Sequence, residues 1–309
     1  MTSIVVIGSL NMDLVVISPH LPVAGETVIG TQYLNEPGGK GANQAYAAAK
    51  LGGNVAMLGR IGSDDHGQRL KANLAAVGCD VSGLGVIEGA SGVAVIVVAA
   101  SGQNSIVVVP GANHGYLPGD LRADAKHLAG ARFVLLQLES PLDTVLAAAL
   151  AAKRIGAQVI LDPAPASDSL PPDLLRSADI LTPNETEATR LLRCPPAVNL
   201  SVTEARGIAR RLQALGASTI IMKLGAQGCL LAQREAMTLV PAPSVVCADT
   251  TAAGDVFNGA LAVACSEGAT LIDACRFAVQ AAALSVTRLG AQRSMPSRSE
   301  LPDQAASPK

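Results

Sequence analysis

Short, continuous apolar runs recur along the chain and limit the folds that it can adopt. Between most of them lie Ala- and Leu-rich segments with the spacing of helices. Strands that are apolar on both faces are typical of a sheet covered by helices on both sides. The pattern therefore predicts an α/β fold with a mostly parallel central sheet flanked by helices. The predicted strands are 4–7, 55–58, 133–138, 159–161, 180–181 and 219–224, and the predicted helices are 42–51, 66–77, 141–154, 186–193, 203–215, 254–266 and 271–287.

Two pairs of β-branched segments are joined without a helix between them. We expect these four strands to form a small sheet of their own, with the second pair as a hairpin around residues 100–103. Ligands of open α/β sheets bind at the carboxyl edge of the strands, so the small sheet is expected to be a lid over that edge. The four segments are 13–18, 27–33, 93–99 and 106–109; the predicted main domain comprises 1–10, 38–91 and 111–309, and the predicted lid 11–37 and 92–110.

Composition argues against several classes of function. Although 49% of the residues are hydrophobic, no uncharged apolar run reaches the ~18 residues of a membrane-spanning helix. The start, Met1-Thr2-Ser3, lacks the basic residues of a signal peptide. A net charge of −2, with three Phe, three Tyr and no Trp, argues against nucleic acid as a partner. The six cysteines form no CxxC pair, which favours buried thiols in a reducing cytoplasm.

The signatures of several common enzyme classes are absent. The chain has no G-x-G-x-x-G after its first strand, no Walker A motif, no H-E-x-x-H and no G-x-S-x-G. Dinucleotide-dependent oxidoreductases, P-loop enzymes, zinc proteases and serine hydrolases therefore lose their usual support.

The segment from Asp249 to Asp255, with the sequence DTTAAGD, comes directly before an apolar run that predicts a helix. Small residues at 252–254 leave backbone N–H groups accessible at the positive end of that helix, which is the arrangement of an anion site. Asp255 in the first turn could then accept a proton from a hydroxyl beside the anion. The alternative is that Asp255 is only an acidic residue that stabilises a helix N-terminus.

A glycine-rich segment, Glu36 to Ala45 with the sequence EPGGKGANQA, leads into an Ala-rich helix. Its glycines permit a polar ligand to approach backbone N–H groups, and Asn43 adds an amide that both donates and accepts. It is not a Walker A loop, because Lys40 is followed by Gly41 and not by a residue with a hydroxyl. The segment alone is also compatible with a simple glycine-rich turn.

Polar side chains also follow several predicted strands. Asn11 and Asp13 come after the first strand, and Glu139 follows the strand at 133–138. Carboxylate and amide groups at the ends of parallel strands are suited to binding hydroxyls. Each of them alone is also a common turn residue.

Two further motifs each allow two interpretations. Asn184 and Glu187 share one face at the start of a predicted helix. They suit either a hydrated magnesium ion or a capping box. The turn from Lys223 to Gly228 follows another strand, and it either lies along the phosphates of a nucleotide or simply joins two strands.

Together these motifs resemble the ribokinase-like (PfkB) family of carbohydrate kinases. Segments 38–45 and 249–255 are similar to the two signatures of that family, and the similarity extends over nearly the whole chain. The resemblance implies a large α/β domain with a small β lid, dimers formed through the lid, and ATP-dependent phosphorylation of D-ribose at O5. Deoxyribose, fructose, ketodeoxygluconate or a nucleoside are alternative substrates within the family, and a noncatalytic sugar-binding protein is the alternative to an enzyme.

The resemblance also implies roles for individual residues. Asp255 is the expected base, and the N–H groups of Ala252, Ala253 and Gly254 are expected to stabilise charge on the transferred phosphoryl group. Lys223 stands where some relatives carry a small hydroxyl residue. The other expected positions are, for the sugar, Asn11, Asp13, Gly39, Lys40, Gly41, Ala42, Asn43, Glu139 and Asp255; for ATP, Asn184, Lys223, Leu224, Gly225, Ala226, Gln227, Gly228, Gly254 and Asp255; for magnesium through water, Glu187; and for potassium, mostly through carbonyls, Asp249, Thr251, Ser285, Arg288, Gly290 and Ser294.

Overall fold

The computed structural model describes residues 3–301 of the chain. This part contains two β-sheets and nine α-helices. Residues 1–2 and 302–309, which the predicted main domain includes, lie outside the described residues. In chain order the elements are β1 (Ile4–Ile7), β2 (Asn11–Ser18), β3 (Gln32–Gly38), α1 (Lys40–Lys50), β4 (Val55–Gly62), α2 (Asp65–Ala76), β5 (Asp80–Ile87), β6 (Gly92–Ala99), β7 (Asn104–Val109), α3 (Pro118–Ala123), β8 (Phe133–Leu136), α4 (Leu142–Arg154), β9 (Gln158–Leu161), α5 (Pro172–Ser177), β10 (Ile180–Leu181), α6 (Glu185–Leu191), α7 (Val202–Ala214), β11 (Thr219–Lys223), β12 (Cys229–Gln233), β13 (Ala236–Val240), α8 (Ala253–Ser266) and α9 (Leu271–Ser285).

The larger sheet contains nine strands in the order β13-β12-β11-β10-β9-β8-β1-β4-β5. Neighbouring strands from β11 to β5 are parallel, whereas β12 and β13 form an antiparallel edge. The side chains of β1 alternate between two hydrophobic cores: Ile4 and Val6 pack with α1, α8 and α9 on one face, and Val5 and Ile7 pack with α4 and α7 on the other. The predicted α/β fold with helices on both faces is confirmed.

Parts of this sheet differ from the sequence prediction. The sequence analysis does not predict β5, β12 or β13: the edge strands β5 and β13 are partly exposed and carry polar residues or glycine, whereas β12 is buried and apolar and was simply missed. The turn at Gly225–Gly228 joins β11 to β12, as one of its two interpretations required. Strand β8 ends at Leu136, two residues before the predicted end, so Gln137 and Glu139 lie beyond the ladder. Between residues 3 and 301, none of the helices has the length and apolar character needed to cross a lipid bilayer.

The small sheet has the strand order β3-β2-β6-β7. The hairpin of β6 and β7 around residues 100–103 is confirmed, but the predicted strand at 27–33 is wrong. The strand in that region is β3, which extends through Pro37 to Gly38. An edge strand tolerates proline because one of its sides needs no N–H donor. Asn11 at the start of β2 lies opposite both Gly38 and Gly92, so three strands meet at this residue.

Helices α1 and α8 approach each other closely at Gly259. A Cβ on Gly259 would lie 2.8 Å from the carbonyl oxygen of Gln44 and 2.9 Å from the Cβ of Ala47, so only glycine fits without a shift of the helices. The contact places the first turn of α1 beside the first turn of α8. These two turns carry Asn43 and Asp255, respectively.

Candidate active site

Five adjacent parallel strands bring polar side chains to one edge of the large sheet. Strands β1, β8, β9, β10 and β11 are neighbours, and the residues that follow their carboxyl ends meet at that edge. This is where open α/β sheets bind ligands. The polar residues at or just beyond these strand ends are Ser9, Asn11, Gln137, Glu139, Asp162, Asn184 and Lys223.

Asp255 lies at the centre of this edge, in the first turn of α8 as predicted. Its side chain is buried, and both carboxylate oxygens accept hydrogen bonds: Asn43 Nδ2 donates to Oδ2 at 3.0 Å and Gln44 Nε2 donates to Oδ1 at 3.1 Å. Burial raises the pKa of Asp255 to about 6, with the positive charge of Lys40 acting against the rise. The carboxylate is therefore ionised at neutral pH and only weakly solvated, which are the properties of a general base.

The loop before α8 turns sharply at Ala252. This residue has a left-handed backbone with φ of 59°, and it directly precedes the first helical residue, Ala253. The N–H of Ala253 donates to the carbonyl of Thr250 at 3.2 Å, so one of the three N–H groups predicted for an anion is used inside the loop. The positive end of the α8 dipole is directed at the same edge as Asp255.

Glu139 joins the end of β8 to the glycine-rich segment. Its Oε2 accepts hydrogen bonds from Ser9 Oγ at 2.5 Å, from the N–H of Lys40 at 3.1 Å and from Asn11 Nδ2 at 3.4 Å. Gly39 has φ of 90°, and a Cβ there would lie 2.6 Å from the N of Asn11, which explains the glycine. The convergence of Asn11 and Glu139 that the sequence predicted is therefore present.

Asp13 and Lys40 place opposite charges in the same corner. Burial, followed by the charges of Glu139 and Asp255, raises the pKa of Asp13 to about 7. Burial alone would lower the pKa of Lys40, but Asp255 and Glu139 outweigh it and the pKa rises. The Asp13 carboxylate lies against Gly38, where a Cβ would come within 2.2 Å of Oδ2. Within residues 3–301 it has no hydrogen-bond partner, and its acceptor capacity is free for a ligand.

Gly41 and Ala42 contact the predicted sugar site only indirectly. The N–H of Gly41 donates to Ser9 Oγ at 3.3 Å, and the N–H of Ala42 donates to the Ser9 carbonyl at 2.9 Å. Ala42 is also part of the hydrophobic core. These two residues hold the glycine-rich segment against the end of β1.

Several buried residues of the site were missed by the sequence analysis. Gln44 Nε2 donates to Asp162 Oδ2 at 3.0 Å as well as to Asp255, and Gln137 Nε2 donates to Gln44 Oε1 at 2.7 Å. Lys223 Nζ completes this network with a hydrogen bond of 2.9 Å to Asp162 Oδ1. Gln44 lies inside a recognised motif, and Asp162 follows a predicted strand, so their positions carried a signal that was not used.

Two further amides hold the side chains of two predicted sugar-binding residues, Asn11 and Asn43, in place. Asn113 Nδ2 donates to Asn11 Oδ1 at 2.7 Å, and Gln292 Nε2 donates to Asn43 Oδ1 at 3.0 Å. Both supporting residues are buried. Gln292 lies in the segment 287–292 that also resembles the family, whereas Asn113 lies in no recognised motif, and each contact joins segments that are far apart along the chain.

Asn184 and Glu187 form a capping box at the start of α6. Asn184 Oδ1 accepts from the N–H of Glu187 at 2.8 Å, while the N–H and Nδ2 of Asn184 donate to the two oxygens of Glu187 at 2.7 Å and 2.9 Å. Burial raises the pKa of Glu187 above its usual range, although Lys223 acts in the opposite direction. The capping interpretation is therefore confirmed, and each oxygen of Glu187 keeps a lone pair for water.

The turn after β11 is exposed between two buried residues, Leu224 and Gly228. Gly225, Ala226 and Gln227 are exposed, but Gln227 Nε2 donates to the carbonyl of Leu200 at 2.9 Å. The Leu224 side chain belongs to the hydrophobic core. At Gly228, with φ of 94°, a Cβ would lie 2.0 Å from the carbonyl oxygen of Val240. Leu224 can therefore contact a nucleotide only through its main chain, whereas Gln227 is exposed and has only its Nε2 engaged within the chain.

The residues predicted to hold potassium are only partly brought together. Asp249 accepts hydrogen bonds from Thr251 N at 2.9 Å and from Thr251 Oγ1 at 2.6 Å through Oδ1, and from Gly290 N at 2.8 Å through Oδ2. Burial raises the pKa of Asp249, but these hydrogen bonds outweigh it and the pKa is lowered. The hydroxyls of Ser285 and Ser294 instead donate to carbonyls in their own turns, and Arg288 pairs with Glu300.

Comparison with known proteins agrees with this geometry. The model of the pfkB family of carbohydrate kinases matches residues 1–298. The chain belongs to this family. Ribokinase from Haemophilus influenzae is 40% identical over 299 residues, which cover 96% of both chains. Deoxyribokinase from Salmonella typhimurium is 37% identical over 95% of both chains. Among solved structures, Arabidopsis thaliana ribokinase complexed with ribose and ATP is 36% identical, with a TM-score of 0.90 and 97% of both chains covered.

Proposed function

We propose that this carbohydrate kinase transfers the γ-phosphoryl group of ATP to the O5 hydroxyl of D-ribose, giving D-ribose 5-phosphate and ADP. The observation that carries the proposal is the position of Asp255. Its buried carboxylate lies between the amides of Asn43 and Gln44 at the positive end of α8. The similarity to ribokinases over nearly the whole chain supports ribose as the sugar.

The proposed reaction uses Asp255 as the general base. The O5 hydroxyl attacks the γ-phosphorus, and its proton passes to the Asp255 carboxylate as the new O5–P bond forms. The bond from the γ-phosphorus to the oxygen that bridges it to the β-phosphorus breaks, and ADP leaves with that oxygen and the bonding electrons. The backbone N–H groups of Ala252 and Gly254 stabilise charge on the phosphoryl oxygens in transit, while that of Ala253 holds the loop through the Thr250 carbonyl.

The sugar is proposed to bind between the glycine-rich segment and the start of β2. The carboxylates of Asp13 and Glu139 accept hydrogen bonds from its hydroxyls, and the amide of Asn11 donates to or accepts from them. Gly39 lies beside the sugar with its main chain and Lys40 with its charged group. The main chain of Asp13 pairs within the small sheet, but its carboxylate has no hydrogen-bond partner within residues 3–301 and is free for this role. The carboxylates of Asp13 and Glu139 accept hydrogen bonds from hydroxyls and repel anions, so this part of the site suits a sugar and not a phosphate.

Two cations are proposed to assist the reaction, and the residues present fit magnesium better than potassium, because both oxygens of Asp249 already accept hydrogen bonds. Glu187 and Asn184 would hold a magnesium ion through water, and the charge of that ion offsets the charge of the ATP phosphates when it is bound. Potassium would be held beside the anion loop by main-chain carbonyls of the segments around Asp249 and Ser285, which are joined where the N–H groups of Ala248 and Asp249 donate to the Val286 carbonyl at 2.7 Å and 3.2 Å. Ser285, Arg288 and Ser294 would contribute carbonyl oxygens only.

The small sheet is proposed to be a lid, residues 11–37 and 92–110, through which two copies of the chain form a homodimer. Strand β7 is an edge strand with all six residues exposed, and Ile106, Val107, Val108 and Val109 lie on it. An exposed apolar edge is unfavourable in water unless another chain covers it. Four of the six free cysteines are buried as expected, whereas Cys194 is partly exposed and Cys247 is exposed. A reducing, cytoplasmic compartment is proposed because an exposed thiol stays free there.

Deoxyribose is the second candidate substrate, because the chain is also 37% identical to a deoxyribokinase. The two sugars differ by one hydroxyl. A site that pairs buried polar groups with that hydroxyl discriminates strongly against the sugar that lacks it. Relative kcat/KM for the two sugars therefore decides between the candidates.

The test is ADP release by the purified full-length protein with ATP, magnesium and a panel of ribose, deoxyribose, fructose and adenosine, in potassium or sodium buffer. We expect turnover to be highest with ribose and to rise with potassium. Asp255→Asn should lower kcat by about 10²- to 10⁴-fold, because it removes the base. Asp143→Asn is the matched control, since Asp143 lies exposed in the first turn of α4.

The outcomes separate the alternatives. Preference for another sugar of the panel would keep the kinase and replace ribose. Ribose binding measured by calorimetry without any turnover would instead indicate a noncatalytic sugar-binding protein. Wild-type kcat in Asp255→Asn would remove the base from the mechanism.

A further inference from the structure

Lys223 places a buried positive charge beside the loop that precedes α8. Its Nζ lies 3.3 Å from the position that a Cβ on Gly254 would occupy, so the ammonium group and the backbone of Gly254 border the same space. Nζ also donates to Asp162 Oδ1 at 2.9 Å, and the two side chains are 14% and 3% exposed. The lysine is therefore held in place at the end of β11 and does not extend into solvent.

Carboxylates keep this amine charged. Burial lowers the pKa of Lys223, but Asp162 and Glu187 outweigh that effect, and the pKa is raised. A cation at the N-terminus of a helix is repelled by the positive end of the helix dipole. An ammonium group and helix N–H groups that border one space both favour an anion in that space.

The ion pair of Lys223 and Asp162 is also connected to Asp255, the proposed base. Gln44 Nε2 donates to Asp162 Oδ2 at 3.0 Å and to Asp255 Oδ1 at 3.1 Å. Lys223, Asp162, Gln44 and Asp255 thus form one hydrogen-bonded series from the end of β11 to the first turn of α8. An anion that contacts Lys223 Nζ and Gly254 would lie at the end of the site where Asp255 receives its proton.

We propose that Lys223 is a further catalytic residue, whose ammonium group contacts an oxygen of the phosphoryl group as it passes from ATP to the sugar. Lys223 keeps its proton throughout and donates a hydrogen bond to that oxygen, while the N–H groups of the α8 loop bind the same group from the other side. The inference rests on the proposed kinase function and adds to it a cation that the chain itself supplies.

The test compares Lys223→Met, Lys223→Arg and the neutral pair Lys223→Met with Asp162→Asn. The neutral pair is included because Lys223→Met alone leaves a buried carboxylate unpaired and could prevent folding. Lys153→Met is the control, because Lys153 forms an exposed ion pair with Asp179. For each protein we would measure kcat with saturating sugar and ATP, the Kd of ADP, and the Kd of ADP with aluminium fluoride, a mimic of the phosphoryl group in transit, in the presence of sugar.

We expect both variants with Met at this position to lose about 10²-fold in kcat, the effect of removing one preorganised donor. ADP should bind within about twofold of the wild type, whereas aluminium fluoride should no longer strengthen its binding. Lys223→Arg should retain part of the activity, because the positive charge remains.

The inference is overturned if the neutral pair recovers wild-type kcat, because Lys223 would then only neutralise Asp162. It is also overturned if ADP and its aluminium fluoride complex weaken equally, which is the result of a structural role. If the wild-type protein phosphorylates no sugar, both this inference and the proposed function are overturned. If the wild type is active and Lys223→Met is equally active, only this inference is overturned.

Discussion

Replacing Asp13 with asparagine is expected to stabilise the unliganded protein at neutral and alkaline pH while impairing sugar binding. The folded protein raises the pKa of Asp13 to about 7 from 3.8, through burial and the neighbouring carboxylates Glu139 and Asp255. A group whose folded pKa is raised above its unfolded value favours folding only while it is protonated. The ionised Asp13 therefore destabilises the folded state, and an uncharged amide does not.

The pH dependence of this penalty follows from the two pKa values. The penalty is absent below about pH 4, grows as the pH rises to about 7 and is constant above that. A difference of about three between the two pKa values corresponds to about 4 kcal/mol, at 1.36 kcal/mol for each tenfold change. Because Asp13 is only partly buried and water reaches the site, we expect about half of this limit, roughly 2 kcal/mol at pH 8.

Urea unfolding without sugar or ATP, at pH 5 and pH 8, measures the effect. The gain in the free energy of unfolding for Asp13→Asn should be at least twice as large at pH 8 as at pH 5, and the exposed control Asp143→Asn should show no such trend. Ribose binding by calorimetry should weaken in Asp13→Asn, because a carboxylate that accepts hydroxyl bonds has been removed. A gain that does not change with pH, or a loss of stability at pH 8, would refute the electrostatic reasoning.

Two other results follow from the same structure. The kcat/KM for the sugar should fall as the pH is lowered through about 7 and then about 6, because Asp13 and Asp255 must both be ionised and folding raises both pKa values. In a plot of log kcat/KM against pH, the limiting slope of two should become one in Asp13→Asn. A flat profile between pH 5 and 9 would contradict this. Gly259→Ala should destabilise the protein by about 1–3 kcal/mol through overpacking against Gln44 and Ala47, and an unchanged melting temperature in calorimetry would show that α1 and α8 can separate freely.

The sequence predicted the elements that depend on local chemistry. The small residues at 252–254, followed by an apolar run, predicted a helix with Asp255 in its first turn, and α8 confirms it. Asn11 and Glu139 could be brought together on paper because parallel strands end at the same edge. Their actual contact, through Glu139 Oε2, agrees with that argument.

The contacts that the sequence could not predict depend on tertiary packing. Gln44 contacts both Asp162 and Asp255, which are 118 and 211 positions away in the chain. No local pattern encodes such pairs. Strand β3 was misplaced for a different reason, because it is an edge strand whose polar residues and Pro37 do not resemble an apolar run.

The meeting of β2, β3 and β6 at Asn11 has a mechanical consequence. The small sheet is attached to the large one where Asn11 lies opposite Gly38 and Gly92, which is also where the proposed sugar hydroxyls bind. An eight-residue strand such as β2 extends about 25 Å from this pivot, so a tilt of about 5° there moves the far end by about 2 Å. A change of tilt at the proposed sugar site would therefore be largest at the hairpin of β6 and β7, the part of the small sheet farthest from the sugar.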